Sequence, residues 1–322
     1  NKSFIVYADI ESILDPRFGN DRTTNMTILN HHIPIAVGML TLDFFENIHD
    51  KSYSYFYGED CIESFLYKLK TLAMYPAVHT NKEKISKTYL TNVVYTCYLC
   101  GEVMRDGFRI TSCNPVFPYD STIHTHCFNN FAPYNEITVI FHNLKGYDSH
   151  FIIDKFAAEC KNFYCIPKSK EKFTFFSGKL GSTRIKFIDS YAFIQAPLDK
   201  IAGNIDIKKL NYIRGIEWKK FNKSIIGKKL AFPYEYIDSI ERLEEENLPE
   251  DIDKWKTKLS KNDSDENFAE KVRMAKELFT TMECKSIKEY MLLYLKVDVY
   301  VLAEAFEAFR NNMLRTYKLD PC

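Results

Sequence analysis

The first hydrophobic run of the chain, residues 4–14, has the β-branched and apolar residues that are typical of a strand. Because successive side chains of a strand point to opposite faces, Asp9 and Glu11 share one face. Two further strand-like runs, residues 34–45 and 51–57, follow a turn-rich stretch. Together the three runs predict an antiparallel start of a β-sheet.

Later segments alternate between helical and strand patterns. Residues 61–72 repeat apolar side chains at helical spacing, which predicts a helix that packs on the sheet. A buried strand at residues 137–142 is followed by a polar turn and by an amphipathic helix at residues 149–159. Residues 161–190 then contain two or three strands. Strand, turn and helix in this order predict an α/β fold.

Single acids interrupt these apolar patterns. Residues 286–315 predict a long helix with one apolar face, and Asp298 falls on that face one turn after Tyr294. Asp148 follows the buried strand at the start of a helix, where an acid is either a functional group or only a helix cap. A carboxylate in apolar surroundings needs a proton or a cation, and so does the pair of acids on the first strand. The pattern therefore favours a divalent metal site.

The amino-acid composition indicates a globular chain but does not indicate its function. The 322 residues are 46% hydrophobic, which is ample for a large core. Lys and Arg together number 43, as do Asp and Glu, so any binding of nucleic acid depends on local patches. One such patch is the basic block at residues 208–229, which precedes an acidic block at residues 235–253. Solvated surface and phosphate contact are both open interpretations of the basic block.

The sequence also indicates a cellular location. It contains neither an apolar run long enough to cross a bilayer nor a signal-peptide layout at residues 1–20, so no membrane partner is expected. Nine cysteines without a disulfide pattern favour a reducing compartment. The expected location is therefore intracellular, in the nucleus or cytoplasm.

The regular pattern breaks between about residues 80 and 135, which we interpret as an insertion. Two pairs of metal-ligating residue types lie in it at the spacing common in tetrahedral zinc sites. They are Cys97 with Cys100 and His124 with Cys127. His126 is an alternative to His124, and coincidental hairpins with free thiols are the alternative to a zinc site. A zinc ion would stabilise a segment that has little apolar content of its own.

Three short motifs combine the acids. They are D-x-E at Asp9 and Glu11, N-x-x-x-Y-D at residues 143–148, and Y-x-x-x-D at Tyr294 and Asp298. In this order they resemble the three exonuclease motifs of family B DNA polymerases. The sequence FHNLKGYDSHFII at residues 141–153 is similar to the protein-primed branch of that family. Residues 228–249 and 289–310 are most similar to the polymerases of Polinton (Maverick) elements and related viruses.

The resemblance implies an RNase H-like exonuclease fold of the DEDDy type. Such a chain would act as a 3′-to-5′ exonuclease on single-stranded DNA ends, with two Mg²⁺ or Mn²⁺ ions. Its exonuclease domain would have two parts, residues 1–80 and 136–322. A zinc-binding insertion at residues 81–135 would separate them, and the second part would carry a charged insertion around residues 205–265.

The resemblance also assigns roles to single residues. The catalytic residues that match the motifs are Asp9, Glu11, Asp148, Tyr294 and Asp298. The four acids are expected to hold the Mg²⁺ or Mn²⁺ ions, and the tyrosine to orient the attacking water. The residues expected to contact DNA are Ser12, His142, Asn143, Tyr147, Phe151, Leu198 and Lys229. For Tyr147 and Phe151, packing in the core is an equal alternative to contact with DNA.

The chain departs from the family pattern at two motifs. The S/T-L-x-x-hydrophobic motif that contacts single-stranded DNA has Pro197 in place of the hydroxyl residue. The insertion resembles an endonuclease VII-like (HNH) zinc module, but residues 111–114 lack the catalytic histidine of that module. We therefore expect one structural zinc ion and no endonuclease activity.

The sequence ends at LDPC, where the polymerase palm of the family would follow, so no polymerase activity is expected of this chain. The expected partners are single-stranded DNA 3′ ends, together with a polymerase module or replication proteins. Two other interpretations stay open. One is a polymerase-derived module that binds DNA or protein with little or no nuclease activity. The other is the amino-terminal part of a polymerase in which the exonuclease proofreads.

Overall fold

The computed structural model describes residues 4–15, 22–23, 26–27, 31–43, 53–79, 86–98, 101–111, 120–130, 136–167, 173–203, 230–256, 265–317 and 319–322. The strands are β1 (Phe4–Asp15), β2 (Arg22–Thr23), β3 (Met26–Thr27), β4 (His31–Asp43), β5 (Tyr53–Tyr57), β6 (Lys87–Thr96), β7 (Val103–Ile110), β8 (Thr122–Ile123), β9 (Glu136–Phe141), β10 (Lys161–Pro167), β11 (Phe173–Leu180) and β12 (Thr183–Asp189). The helices are α1 (Cys61–His79), α2 (Thr125–Asn130), α3 (Ser149–Glu159), α4 (Leu198–Gly203), α5 (Ile240–Leu243), α6 (Asp265–Thr281) and α7 (Ile287–Tyr317). Of the helices in these ranges, none has the length and apolar character needed to cross a bilayer.

Seven strands form one mixed sheet in the order β10-β11-β12-β9-β1-β4-β5. β1, β4 and β5 are antiparallel neighbours, which confirms the predicted start of the sheet. β9 runs parallel to both β1 and β12, whereas β11 is antiparallel to each of its neighbours, β10 and β12. A mixed sheet with helices packed on it confirms the predicted α/β fold.

The two faces of β1 enter two different hydrophobic cores. Val6 and Ala8 pack with residues of α1 and α3. Tyr7, on the opposite face, packs with residues of α7. Asp9 and Glu11 continue this second face because side chains of a strand repeat every two residues. Helix α7 therefore covers the strand face that carries the two acids.

Helix α7 is buried on every side along its middle part, whereas the sequence predicted one apolar face. Every residue from 297 to 307 is buried. The sheet strands β1 and β4 contact one side of the helix. Residues of the segment 230–256 and of α6, among them Trp255, pack in the same core from elsewhere in the chain. The periodicity of one helix does not reveal a second cover that distant residues supply.

Residues of the acidic block, 235–253, form part of this second cover over α7. Ile237, Leu243 and Trp255 are buried, while most acids between residues 235 and 253 are exposed. The block therefore packs on the core through its apolar residues and faces solvent with its charges. The basic block at residues 208–229 lies outside the described residues.

Residues 87–130 contain a separate three-stranded sheet, β6-β7-β8, with α2 beside it. Its small core includes Met104 and Phe108. The sequence predicted an irregular insertion here and missed β6 and β7. Large apolar residues such as Tyr89 and Val103 are exposed on these strands, so the usual alternation of buried apolar and exposed polar side chains is hidden. The domain boundaries stay a prediction.

Candidate active site

Three carboxylates converge between β1 and α7. Asp9, Glu11 and Asp298 each place an oxygen within 4.8 Å of the others. Glu11 and Asp298 are each 3% exposed, whereas Asp9 is partly exposed. The group therefore opens to solvent on the side of Asp9, and its other two acids are inside the protein.

The parallel pairing of β1 and β9 positions the loop that follows β9 beside these acids. β1 pairs with β9 only from Phe4 to Tyr7. Asp9 and Glu11 lie further along β1, beyond the end of this pairing. In parallel sheets, functional groups commonly lie at the carboxyl ends of strands. The structure thus brings the loop at residues 142–148 to the same edge of the sheet as the acids on β1.

Asp148 lies at this edge but outside the group of three described carboxylates within 4.8 Å. It occupies the N-cap position of α3 and is 4% exposed. Its carboxylate makes no capping hydrogen bond within the described part of α3, so the helix-cap interpretation is not supported. Burial raises the pKa of Tyr147, and the charges of Asp148 and Glu11 raise it further, so this tyrosine is within electrostatic reach of both acids.

Two tyrosines whose hydroxyls contact each other lie within reach of the charges of the acid site, one on α7 and one in the segment 230–256. Tyr294, one turn before Asp298, is buried, and the Tyr234 hydroxyl donates to the Tyr294 hydroxyl at 3.3 Å. Burial raises the pKa of Tyr294 well above its usual value, and the negative charge of Asp298 raises it further. Burial and then Glu11 raise the pKa of Tyr234 in the same way. Both phenols therefore keep their protons at neutral pH and act as hydrogen-bond donors.

Tyr234 is a site residue that the sequence did not predict. It lies in the segment 230–256, and the negative charges of Glu11, Asp298 and Asp9 all act on its hydroxyl. Its ring packs edge-to-face on Phe232 at 4.9 Å. The aromatic residues at 232–236 are the only sequence signal for this position, and such a run is equally typical of a core.

The Tyr147 hydroxyl connects three elements. It hydrogen-bonds with the Ser12 hydroxyl on β1 and with Nδ1 of His32 on β4. Burial raises the pKa of Tyr147 to about 12, although the hydrogen bond with Ser12 counteracts part of this shift. Phe151 packs edge-to-face on the Tyr147 ring at 5.2 Å. The structure thus groups three of the predicted DNA-contacting residues and adds His32, which the sequence did not single out.

A buried aspartate fixes the loop that carries two more of the predicted DNA contacts, His142 and Asn143. Asp189, at the end of β12, accepts hydrogen bonds from the backbone N–H groups of Asn143 at 2.8 Å and Lys145 at 3.3 Å. Asn143 is exposed and has a left-handed backbone with φ of 64°. His142 contacts the Ser190 hydroxyl through Nδ1 at 2.9 Å. This loop presents Asn143 to solvent near the acids.

The other two predicted DNA contacts are placed differently. Leu198 is 6% exposed and packs in the core with residues of α7, where it supports α4. Lys229 lies outside the described residues. DNA contact by either residue stays a prediction.

A second group of metal-ligating side chains lies in the insertion. Cys97, His124 and Cys127 each place a ligand atom within 4.8 Å of the others. The His124 backbone N–H donates to the Cys97 sulfur at 3.4 Å. Cys127 Sγ lies 3.7 Å from His124 Nδ1 and 3.3 Å from His126 Nε2, so the choice between the two histidines stays open. Cys100 lies outside the described residues.

Comparison with protein families identifies the class of the chain. A family described as DNA polymerase type B, organellar and viral, matches residues 129–320, which is more than half of the chain. The chain belongs to this family of type B DNA polymerases. Neither the search of curated proteins nor the search of solved structures gives a match. The matched segment contains Asp148, Tyr294 and Asp298, whereas Asp9 and Glu11 precede it.

Proposed function

We propose that this chain is a 3′-to-5′ exonuclease domain that removes nucleoside monophosphates from single-stranded DNA ends. One observation carries the proposal. Asp9 and Glu11 lie outside the segment that matches the polymerase family, yet they come within 4.8 Å of Asp298 inside that segment. Acids that are almost 290 positions apart converge in one site. The strand order β5-β4-β1-β9-β12 is compatible with an RNase H-like fold of the DEDDy type.

The donor set of the site fits hard divalent cations. Carboxylate oxygens are the ligands that Mg²⁺ and Mn²⁺ prefer, and two buried acids in one group need a positive charge between them. Asp9, Glu11 and Asp298 would hold the ions, and Asp148 would assist through water. When bound, two such ions would supply Lewis-acid polarisation of the phosphate and an activated attacking water.

Side chains of the site would orient the attacking water and the terminal nucleotides. Tyr294 keeps its proton and is directed by the Tyr234 hydroxyl, so it would donate a hydrogen bond to the attacking water or to the phosphate. Tyr147 and Phe151 would stack on the terminal bases, and Asn143 would hydrogen-bond the terminal nucleotide. Ser12 and His32 would fix the Tyr147 ring through its hydroxyl.

The polarity of cleavage tests the proposal. Purified protein with Mn²⁺ would be given single-stranded, duplex and mismatched DNA, labelled at the 3′ end or at the 5′ end. We expect release of the 3′-terminal mononucleotide from single-stranded and mismatched ends, with slower release from paired ends. Internal cuts, or mononucleotides released from the 5′ end, would contradict the proposal. A matched RNA strand would measure the preference for DNA.

Replacing Tyr294 by phenylalanine is expected to lower the hydrolysis rate by about 10²-fold, the usual loss when one positioned donor is removed. The ring and its packing stay, so the protein should remain folded. Single-turnover assays with saturating DNA would measure the rate, and Tyr317→Phe, at an exposed position on the same helix, is the control. A rate equal to wild type would exclude a role for the hydroxyl.

The insertion is proposed to hold one structural zinc ion. Elemental analysis of protein purified without chelators is expected to give one zinc per wild-type chain and far less in Cys97→Ser. Cys284→Ser, which removes a half-buried thiol from the main core, should keep the zinc. Wild-type protein that is free of zinc would refute the site.

A further inference from the structure

Gly38 creates a space directly beside Asp9. In the antiparallel pairing of β1 and β4, Gly38 is the partner of Asp9. Side chains of paired residues project from the same face, with Cβ atoms about 5 Å apart. A Cβ atom at position 38 would lie 2.8 Å from the Tyr53 hydroxyl oxygen and 2.9 Å from Leu295 Cγ. The Tyr53 hydroxyl therefore occupies the place that a side chain at position 38 would take, next to Asp9.

This hydroxyl is buried and meets no hydrogen-bond partner among the described residues. Its ring is well packed, with the Tyr300 ring at 5.8 Å and the Lys296 ammonium 5.5 Å from the ring centroid. A buried polar group without a partner destabilises the folded protein, so phenylalanine would be the more favourable residue at this position unless the hydroxyl has a use.

The position of the hydroxyl indicates what that use is. It lies where a side chain at position 38 would lie, beside Asp9 on the same face of the sheet. A tyrosine hydroxyl carries its proton at neutral pH and can donate it to a carboxylate. In the present structure Asp9 Oδ1 accepts from the Ile10 N–H at 3.1 Å. A carboxylate has about four lone-pair sites, so it can accept from a hydroxyl and bind a cation together.

We propose that Tyr53 is a positioning residue for Asp9, whose carboxylate accepts a hydrogen bond from the Tyr53 hydroxyl when divalent cations occupy the acid site. The inference rests on the proposed function, and it names a residue on a strand that carries none of the four acids. Groups that hydrogen-bond a metal-ligating side chain orient it before the ion arrives. Gly38 is required in this arrangement because any larger residue would displace the hydroxyl.

Tyr57 offers a matched control on the same strand. It is four residues after Tyr53, and its side chain therefore projects from the same face of β5. Its hydroxyl is also buried without a partner in the described chain. The charges that act on it are those of Lys288 and Glu244, not those of the acid site. Tyr53→Phe and Tyr57→Phe thus each remove a buried hydroxyl from the same face of β5, and only one of the two removals lies beside Asp9.

The test is direct titration of Mn²⁺ without DNA, by calorimetry or by the paramagnetic resonance signal of free Mn²⁺. Tyr53→Phe is expected to weaken Mn²⁺ binding by about 10- to 100-fold, the usual effect of losing a hydrogen bond to a metal ligand. Tyr57→Phe should bind as wild type does. Thermal unfolding in EDTA would show that both variants are folded.

The outcomes separate this inference from the proposed function. If wild type binds Mn²⁺ and Tyr53→Phe binds equally well, the inference is wrong and the exonuclease proposal stands. Equal weakening in both variants would also overturn it, because the effect would then come from packing of β5. Wild-type protein that shows no saturable Mn²⁺ binding would overturn the proposed function and this inference with it.

Discussion

Replacing Asp298 by asparagine is expected to slow 3′-end hydrolysis by about 10³-fold, which corresponds to roughly 4 kcal/mol of transition-state stabilisation. Asparagine keeps the shape of the side chain but removes one of the three negative charges that converge within 4.8 Å. The cations would then be held by a weaker set of ligands. Because the neutral amide relieves repulsion from Asp9 and Glu11, the variant should fold without loss of stability in EDTA.

Metal-dependent stabilisation provides a second measurement on the same variant. A ligand at 100 times its dissociation constant stabilises the folded state by about 2.7 kcal/mol. We expect wild-type protein to gain this stability when Mn²⁺ is added, and Asp298→Asn to gain much less. Asp154→Asn, which neutralises an exposed acid on α3, is the control and should behave as wild type. A hydrolysis rate of Asp298→Asn within about tenfold of wild type would contradict the assignment.

Replacing Arg310 by methionine is expected to lower the free energy of unfolding by about 3–5 kcal/mol, because it leaves the buried carboxylate of Glu307 without its cation. Arg310 donates to Asp320 at 2.8 and 2.9 Å and to Glu307 at 3.2 Å. The Tyr7 hydroxyl donates to the other oxygen of Glu307 at 2.7 Å. Glu307 is 3% exposed, so its charge would be left in the interior. Urea unfolding would measure the loss.

This network connects α7 to β1 two residues before Asp9. We therefore expect Arg310→Met to weaken hydrolysis as well, through the position of α7. Arg273→Met is the matched control and should change stability little, since its ion pairs with Glu270 and Glu277 are exposed and screened by solvent. Adding Glu307→Gln to Arg310→Met should restore part of the stability. Equal stability of Arg310→Met and wild type would show that the buried pairs contribute nothing.

The sequence predicted those parts of the site that depend on one element at a time. The period of two along β1 places Asp9 and Glu11 on one face, and the helical period of α7 places Asp298 one turn after Tyr294. Both arrangements are local, and the structure shows them as predicted. The approach of α7 to β1 depends on the whole fold, and only the family motifs connected the two in advance.

Tyr53, Tyr234 and His32 could not be predicted in the same way. The Tyr53 hydroxyl lies beside Asp9 because the register of β4 sets Gly38 opposite that acid. Tyr234 reaches Tyr294 from a segment with little regular structure. Register and long-range packing leave no period in the sequence, so aromatic residues at such positions are indistinguishable from core residues.

In the insertion, too, the sequence predicted a local feature and missed the strands. The spacing of its cysteines and histidines predicted a metal site, and Cys97, His124 and Cys127 do converge. The strands β6 and β7 were missed because exposed apolar residues hide their alternation. The spacing of ligands is a local property that the sequence displays. The strands of this small module bury few residues, so they leave only a weak alternation of apolar and polar positions.

Single-turnover release of the 3′-terminal nucleotide from single-stranded DNA in Mn²⁺, by wild type and by Asp9→Ala purified in parallel, measures whether the three converging carboxylates form the active site. Asp9 is the acid through which the site opens to solvent, and it lies outside the segment that matches the polymerase family. We expect that wild type releases mononucleotides and that Asp9→Ala, although folded, releases none above background. Release by Asp9→Ala at the wild-type rate would show that the hydrolysis comes from elsewhere, and the three converging carboxylates would not be the active site.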